Sequence, residues 1–144
     1  MAPYVNFSEM EVGDTLPGVE KDPVTKTQLV RYAGASGDFN PLHTDDTVAQ
    51  KAGLKGVIAQ GPLIMGFVGQ AITRWVPKRH LKRFQVRFKG MTFPGDTISV
   101  SATVAEKVAE GESLRILCHT EAKDQKGEIK LTGQFEVLCP IDTA

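Results

Sequence analysis

Residues 61–77 read Gly61-Pro-Leu-Ile-Met-Gly-Phe-Val-Gly-Gln-Ala-Ile-Thr-Arg-Trp-Val-Pro77. Apolar side chains recur at positions 63, 64, 67, 68, 71, 72 and 75, the spacing of one face of an α-helix. Proline suits the first turn of a helix, and Pro77 cannot continue it. The stretch therefore predicts one long helix over about residues 62–76. Gly66 and Gly69 each disfavour a helix by about 1 kcal/mol relative to alanine, so we expect a neighbouring group to approach the helix closely there.

After this helix the sequence period changes to two residues, which is typical of strands with one buried face. Apolar and polar residues alternate over about 84–88, 98–104, 114–118 and 129–137. Glycine-containing turn sequences lie at 93–96, 110–112 and 124–127. Three hairpin-linked strands after a helix predict an α+β domain in which an antiparallel sheet packs one face on that helix.

Two shorter helices are predicted upstream of the long helix. The first begins after Thr25 or Thr27, either of which can cap it, and continues to about Ala35. Its apolar face would consist of Leu29, Val30, Tyr32 and Ala33. The second covers about residues 47–52.

The chain of 144 residues has the length of a single domain, which we expect to cover residues 1–144. It contains no apolar run long enough to span a membrane, and its first residues lack the pattern of a signal peptide. Cys118 and Cys139 are far apart and form no Cys-x-x-Cys pair. We therefore expect a cytoplasmic protein with two free thiols, without membrane association.

Charge is unevenly distributed although the formal net charge is zero. No acidic residue lies between Thr47 and Gly95, whereas nine basic residues do: Lys51, Lys55, Arg74, Lys78, Arg79, Lys82, Arg83, Arg87 and Lys89. A field of one sign favours an anionic ligand, and the alternative is an ordinary solvated rim. The basic run lacks the interleaved aromatic side chains that stack on bases, so we expect no nucleic acid partner.

Chemically active side chains are concentrated in residues 32–49, which read Tyr32-Ala-Gly-Ala-Ser-Gly-Asp-Phe-Asn-Pro-Leu-His-Thr-Asp-Asp-Thr-Val-Ala49. Placed around one water, the carboxylate of Asp38 and the imidazole of His43 could activate it as a nucleophile and return a proton to the product. Asn40 and Pro41 would set the shape of the loop, because proline biases the residue before it toward extended geometry.

Other interpretations of this loop are available. Asp and Asn side chains often bond their own backbone and make nothing more than a turn. A calcium loop does not fit, because it needs glycine and glutamate where His43 and Ala49 stand. Metal binding through His43, Asp45 and Asp46 matches no standard ligand spacing, so we predict no metal. The sequence also lacks the glycine-rich nucleotide-binding motifs and the serine hydrolase elbow.

Residues 32–49 resemble the hydratase 2 motif of MaoC-like (R)-specific enoyl-thioester hydratases and dehydratases. The similarity includes the start of the long helix at 57–66, the strand at 86–88 and the turn at 93–96. It is most evident for the small members with one hot-dog domain, including bacterial 3-hydroxyacyl-ACP dehydratase subunits. The resemblance implies a hot-dog fold, with the long central helix wrapped by the antiparallel sheet, and a dimeric protein.

The resemblance also implies site residues. The family's catalytic aspartate and histidine correspond to Asp38 and His43, and its loop-shaping asparagine to Asn40. The backbone amide that polarises the thioester carbonyl belongs to Gly61, at a helix start where free amides can stabilise an oxyanion. The substrate would also contact Gln60 and the apolar lining, for which the candidates are Pro62, Met65, Phe88 and Met91.

Two positions depart from the family pattern. The family usually has histidine where Gln60 stands, and often serine where Gly69 stands. Neither residue belongs to the proton-transfer pair. These departures bear on acyl-chain specificity and fine positioning, and leave the implied class of reaction unchanged.

The implied activity is the reversible hydration of trans-2-enoyl thioesters of coenzyme A or acyl carrier protein (ACP) to (R)-3-hydroxyacyl thioesters. No separate cofactor is expected, because the substrate itself carries coenzyme A or phosphopantetheine. The basic run Arg74–Lys89 offers contacts for phosphates or for an acidic carrier protein. Expected partners are a second copy in a homodimer or higher homo-oligomer, or a related chain in a heterodimer. The alternatives are a non-catalytic subunit that shapes the pocket of a heterodimeric dehydratase, and a hot-dog thioesterase.

Overall fold

The computed structural model describes residues 4–141. Within this range three α-helices form, at Lys26–Ser36 (α1), Asp46–Lys51 (α2) and Gly61–Trp75 (α3). Five β-strands lie at Val19–Glu20 (β1), Leu81–Phe88 (β2), Ser99–Glu110 (β3), Ser113–Lys123 (β4) and Ile129–Pro140 (β5). Short 3₁₀ helices occupy Pro41–His43 and Lys78–His80.

The strands form one antiparallel sheet in the order β1-β3-β4-β5-β2. Two hairpins join β3 to β4 and β4 to β5, and their turns contain Gly111 and Gly127 at positive φ, a conformation that favours glycine. β2 reaches the sheet after α3 and pairs with β5. At Gly133 of β5 an added Cβ would lie only 2.6 Å from the Gln85 carbonyl oxygen, so no side chain fits between the two strands there.

The core lies between α3 and the inner face of the sheet. From α3 the buried side chains are Ile64, Phe67, Val68, Ala71, Ile72 and Trp75. From the sheet they meet alternate residues of β3, β4 and β5, all nearly or completely buried. The rings of Trp75 and Phe135 stack with centroids 6.1 Å apart. This arrangement confirms the α+β prediction, and α3 begins and ends one residue earlier than the predicted helix.

Several details differ from the sequence predictions. The strand β1 was not predicted, and β3, β4 and β5 are longer than the alternating segments. Val30 was expected on the buried face of α1 but is 53% exposed. Within residues 4–141, no residue outside the helix and chain neighbours of Gly66 places an atom within 4 Å of an added Cβ, so the close approach expected there stays a prediction. At Gly69 the contact, with Phe84, has an ordinary distance of 3.7 Å.

Both cysteines within the described range are free thiols. Burial raises the pKa of the Cys118 thiol to about 12, so this group stays protonated and unreactive. None of the helices formed by residues 4–141 has both the length and the apolar character needed to cross a membrane.

Candidate functional site

The loop that carries Asp38 begins where α1 ends. Gly37 adopts a left-handed conformation with φ of 77°, and its N–H donates to the Ala33 carbonyl. This is a common way to end a helix, and glycine adopts it without steric cost. The Ser36 hydroxyl donates to the Tyr32 carbonyl at 2.7 Å and accepts from the Asp38 N–H at 3.2 Å. The chain therefore leaves α1 in a fixed direction.

Two side-chain turns shape the loop itself. Asp38 Oδ1 accepts from the Asn40 N–H at 3.3 Å, and Asn40 Oδ1 accepts from the Leu42 N–H at 3.0 Å. Asn40 thereby caps the 3₁₀ helix Pro41–His43. The turn interpretation and the chemical interpretation are compatible, because the turn occupies only one carboxylate oxygen of Asp38.

The other carboxylate oxygen faces His43. Asp38 Oδ2 lies 3.4 Å from His43 Nε2, and His43 Nδ1 lies 2.7 Å from the Ile58 carbonyl oxygen. A carbonyl oxygen can only accept, so Nδ1 carries a hydrogen and Nε2 is the nitrogen that gains and loses a proton. The His43 side chain is 12% exposed and that of Asp38 is 44% exposed. The carboxylate of the pair is therefore open to solvent, whereas the imidazole is mostly buried and held by its hydrogen bond to the Ile58 carbonyl.

The extended segment 57–60 connects this pair to the start of α3. The Ile58 N–H donates to the Leu42 carbonyl at 3.1 Å, and the Ala59 N–H donates to the Thr92 carbonyl at 2.8 Å. Gly61 follows Ile58 by three residues, and an extended chain covers at most about 3.6 Å per residue. The Gly61 amide therefore lies within about 11 Å, along the chain, of the residue whose carbonyl contacts His43. Within residues 4–141 this amide donates to no other group, as expected for the first turn of a helix.

Phe88, the last residue of β2, lies directly over the start of α3. A Cβ added to Gly61 would be 3.2 Å from the Phe88 ring, which is 50% exposed. Met65 is four residues after Gly61 and so shares its face of the helix. Pro62 and Met91 are exposed. The structure thus brings Asp38, His43 and the chain that leads to Gly61 together, with Phe88 beside them.

The side chain of Gln60 points toward α1. Its side chain is 1% exposed, and its amide nitrogen donates to the Leu29 carbonyl of α1 at 3.0 Å. Its amide oxygen has no partner among the described residues. Gln60 therefore ties α1, which leads into the Asp38 loop, to the start of α3.

Lys130 on β5 was missed by the sequence analysis. Its side chain is 3% exposed, its Nζ donates to the Met91 carbonyl at 2.6 Å, and it lies 3.3 Å from the Asp124 carboxylate. Its own carbonyl accepts from the N–H groups of Lys89 and Gly90. Lys130 thus supports the segment that follows Phe88. In the sequence it occupies a polar position in an alternating strand, which gives no sign of burial.

Asp46 also has a larger role than the sequence indicated. Its Oδ1 accepts from the Val57 N–H at 3.0 Å, and its other oxygen contacts Lys26. The hydrogen bond from Lys26, and after it that from Val57, holds the pKa of the Asp46 carboxyl below its ordinary value. The residue joins the starts of α1 and α2 to the segment beside His43.

The basic run lies on the 3₁₀ helix Lys78–His80 and on β2. Arg79, Lys82, Arg83 and Arg87 are exposed, and within the described chain none of them forms an ion pair. Burial, followed by repulsion from Arg79 and Lys82, lowers the pKa of His80. Residues 4–141 contain no group of three or more His, Cys, Asp or Glu side chains that could hold a metal ion.

Known proteins resemble the chain over most of its length. The chain is 30% identical over 142 residues to fatty acid synthase subunit beta of Gibberella zeae, covering 96% of this chain. It is 26% identical over 136 residues to 3-hydroxybutyryl-CoA dehydratase of Methylorubrum extorquens, covering 93% of this chain and 83% of the dehydratase. The solved structure of R-hydratase PhaJ1 from Pseudomonas aeruginosa, 26% identical, superposes with a TM-score of 0.83 and covers 96% of this chain and 88% of that chain.

These likenesses confirm the expected hot-dog fold. The chain spans only 6% of the synthase subunit and less than a third of several other curated relatives. Residues 8–124 match the family described as MaoC like domain. Because that match covers most of the chain, together with the loop of Asp38 and His43 and the start of α3, this protein belongs to the MaoC-like dehydratase family.

Proposed function

We propose that this chain catalyses the reversible addition of water to trans-2-enoyl thioesters, forming (R)-3-hydroxyacyl thioesters. The proposal rests mainly on the 3.4 Å separation of Asp38 Oδ2 and His43 Nε2, a pair held by the loop and by the Ile58 carbonyl. Two relatives support it by their names, a 3-hydroxybutyryl-CoA dehydratase and an R-hydratase.

In the proposed mechanism a water molecule binds beside the Asp38–His43 pair, within hydrogen-bond reach of both groups. One of the two groups removes its proton as the oxygen adds to C3 of the enoyl chain, and the pair then delivers one proton to C2 on the same face. Proton transfer by a positioned side chain contributes about 10²–10⁴-fold to the rate. Dehydration follows the same path in reverse, through the same groups.

The negative charge that develops on the thioester oxygen would be stabilised by the Gly61 amide. This N–H lies at the positive end of the α3 dipole and has no acceptor within the described residues. In other enzymes, loss of one such donor raises the barrier by about 2.7–4 kcal/mol.

The acyl chain would extend along the face of α3 that carries Met65, beside Phe88, Pro62 and Met91. Asn40 would shape the loop. Gln60 would hold α1 against the start of α3. The reaction needs only water and these groups, so we propose no cofactor. Phosphates of coenzyme A, or an acidic carrier protein, would bind the exposed basic residues of β2.

We further propose that the active protein is an oligomer, either of this chain or with a related chain. Phe88 is half exposed and Phe39, next to Asp38, is 71% exposed, an uncommon setting for large apolar side chains beside a site. β2 is also one of the two edge strands of the sheet, so that among the described strands its outer side is unpaired. A partner seated there would cover the apolar side chains and close the site.

The test is an assay of the purified chain with crotonyl-CoA. We expect loss of the ultraviolet absorbance of the conjugated thioester, with an (R)-3-hydroxybutyryl product on chiral chromatography. Light scattering on the same sample gives the oligomeric state. Release of free thiol without hydration would instead indicate a thioesterase. Complete inactivity of the chain alone, with activity restored by a related chain that carries its own acid and histidine, would indicate a non-catalytic subunit.

Substitution of Gly61 by alanine should impair hydration while preserving the fold. The added methyl group would lie 3.2 Å from the Phe88 ring, so it would fill space beside the amide and push the ring by a few tenths of an ångström. We expect kcat/KM to fall about 10-fold or more, because displacement of a reactant by about 1 Å can cost up to 10²-fold.

Gly66→Ala provides the matched control, because this helix position is exposed and its methyl group would meet no atom of the described residues within 4 Å outside its own helix backbone and chain neighbours. Adding Phe88→Leu to Gly61→Ala should restore part of the activity. Wild-type kcat/KM in Gly61→Ala would mean that the thioester does not bind above this amide.

A further inference from the structure

We propose that Asp46 is a positioning residue for His43. It would fix the backbone at Val57 and Ile58, so that the Ile58 carbonyl holds the imidazole in the Nδ1–H form. The inference rests on the proposed function, because it concerns how the same site keeps its base in the reactive orientation. Asp46 would not touch the substrate.

Three contacts secure two consecutive residues of the segment beside His43. The Val57 N–H donates to Asp46 Oδ1 at 3.0 Å. The Ile58 N–H donates to the Leu42 carbonyl at 3.1 Å, and the Ile58 carbonyl accepts from His43 Nδ1 at 2.7 Å. The Ile58 carbonyl belongs to the following peptide unit, so loss of the Asp46 contact would act on it by loosening the backbone at Val57, one residue earlier, and would let the carbonyl shift relative to the imidazole.

The second oxygen of Asp46 connects this segment to α1. It contacts the ammonium group of Lys26, the first residue of α1. Asp46 is itself the first residue of α2, so the pair brackets the whole loop from Asp38 to His43. One carboxylate therefore contacts the start of α1 and the backbone beside the imidazole.

Gly56 gives independent support. A Cβ at this position would lie 3.0 Å from Asp46 Oδ1. Its φ is not in the left-handed region, so backbone conformation does not require glycine here. The absence of a side chain leaves the space through which the carboxylate reaches the Val57 N–H.

Asp46 has a simpler possible role, as an acidic residue in the first turn of α2 that interacts with the helix dipole. The cap of α2 is already supplied by Asp45, whose Oδ1 accepts from the N–H groups of Thr47 and Val48. Both oxygens of Asp46 are directed to partners outside α2. The geometry therefore favours the connecting role.

The test compares Asp46→Ala with Asp46→Asn. Alanine removes the acceptor for the Val57 N–H, and we expect kcat to fall about 10-fold or more while KM is unchanged, because a displaced base slows chemistry without weakening ground-state binding. Asparagine keeps an oxygen acceptor, so its kcat should stay close to that of the wild type. Asp14→Ala is the control, since it loses a comparable bond, from the Glu11 N–H at 2.9 Å, at a different part of the surface.

A second readout does not depend on turnover. In ¹⁵N NMR spectra the ring nitrogens of neutral His43 should report the Nδ1–H form in the wild type, in Asp46→Asn and in Asp14→Ala. In Asp46→Ala they should report a mixture of both neutral forms. Unchanged ring signals and wild-type kcat in Asp46→Ala would overturn the proposal.

Further variants keep the proposal testable if Asp46→Ala does not fold. Gly56→Ala, whose methyl group would press on Asp46 Oδ1, should then show the same loss of kcat and the same mixed ring signals. Wild-type values in Gly56→Ala would contradict the proposal. A wild-type protein without hydratase activity would refute the proposed function, and the ring signals would still decide the role of Asp46.

Discussion

Replacement of Asp38 by asparagine, or of His43 by alanine, is expected to lower kcat for crotonyl-CoA hydration by about 10²-fold or more. Asparagine retains an oxygen that can accept from the Asn40 N–H, so the loop should survive while the charge at Oδ2 is lost. Alanine removes the imidazole, which contacts both the Ile58 carbonyl and the Asp38 carboxylate. Stopped-flow or steady-state absorbance assays, with circular dichroism to verify folding, would measure the effect.

The two substitutions should also be non-additive. Residues that act as a unit in one proton-transfer step lose little more when both are removed than when one is. His119→Ala, at an exposed position on β4, and Asp14→Asn, in a surface turn, are matched controls that should keep wild-type turnover. Near-normal hydration by both Asp38→Asn and His43→Ala would refute the assignment of the pair.

Replacement of Lys130 by methionine should have the largest effect on stability. The Nζ group is buried against the Asp124 carboxylate and the Met91 carbonyl. Removal of one member of a buried ion pair leaves an uncompensated charge and typically costs about 3–5 kcal/mol. Urea unfolding should show a lower midpoint with an unchanged slope.

Two further variants test whether the loss of stability in Lys130→Met comes from the burial of its ion pair. Lys123→Met removes an exposed lysine that pairs with Glu121 at 3.1 Å, and such surface pairs contribute about 1 kcal/mol or less. Adding Asp124→Asn to Lys130→Met should recover part of the loss, because asparagine can still accept the Lys126 and Glu128 N–H groups. Equal unfolding midpoints for Lys130→Met and Lys123→Met would show that the buried pair does not stabilise the fold.

Local sequence signals predicted both ends of α3 to within one residue. Its apolar period and its flanking prolines act over one or two turns of chain, so they can be recognised without knowledge of the fold. Alternation identified β2 to β5 for the same reason, although it underestimated their length. Val30 was placed on the wrong face, because a single valine beside Leu29 does not show which side of a short helix the core will cover.

Contacts between distant segments could not be predicted. β1 has two residues and gives no periodic signal, and it forms because residues 99 and 100 offer an edge to pair with. The burial of Lys130 depends on Asp124 and on the Met91 carbonyl, which the sheet register brings together. The contacts of Asp46 with Lys26 and Val57 likewise join residues that are far apart in the sequence.

The sequence by itself determined the α+β class, the central helix and the identity of the loop that carries Asp38 and His43, because period, turn residues and a long ordered motif are properties of neighbouring residues. Only the tertiary structure decided which carboxylate oxygen faces Nε2, which nitrogen of His43 is fixed by Ile58, and that Phe88 covers Gly61. These relations join residues that are far apart in sequence, and they depend on how helix and sheet pack. Local pattern carries no information about that packing.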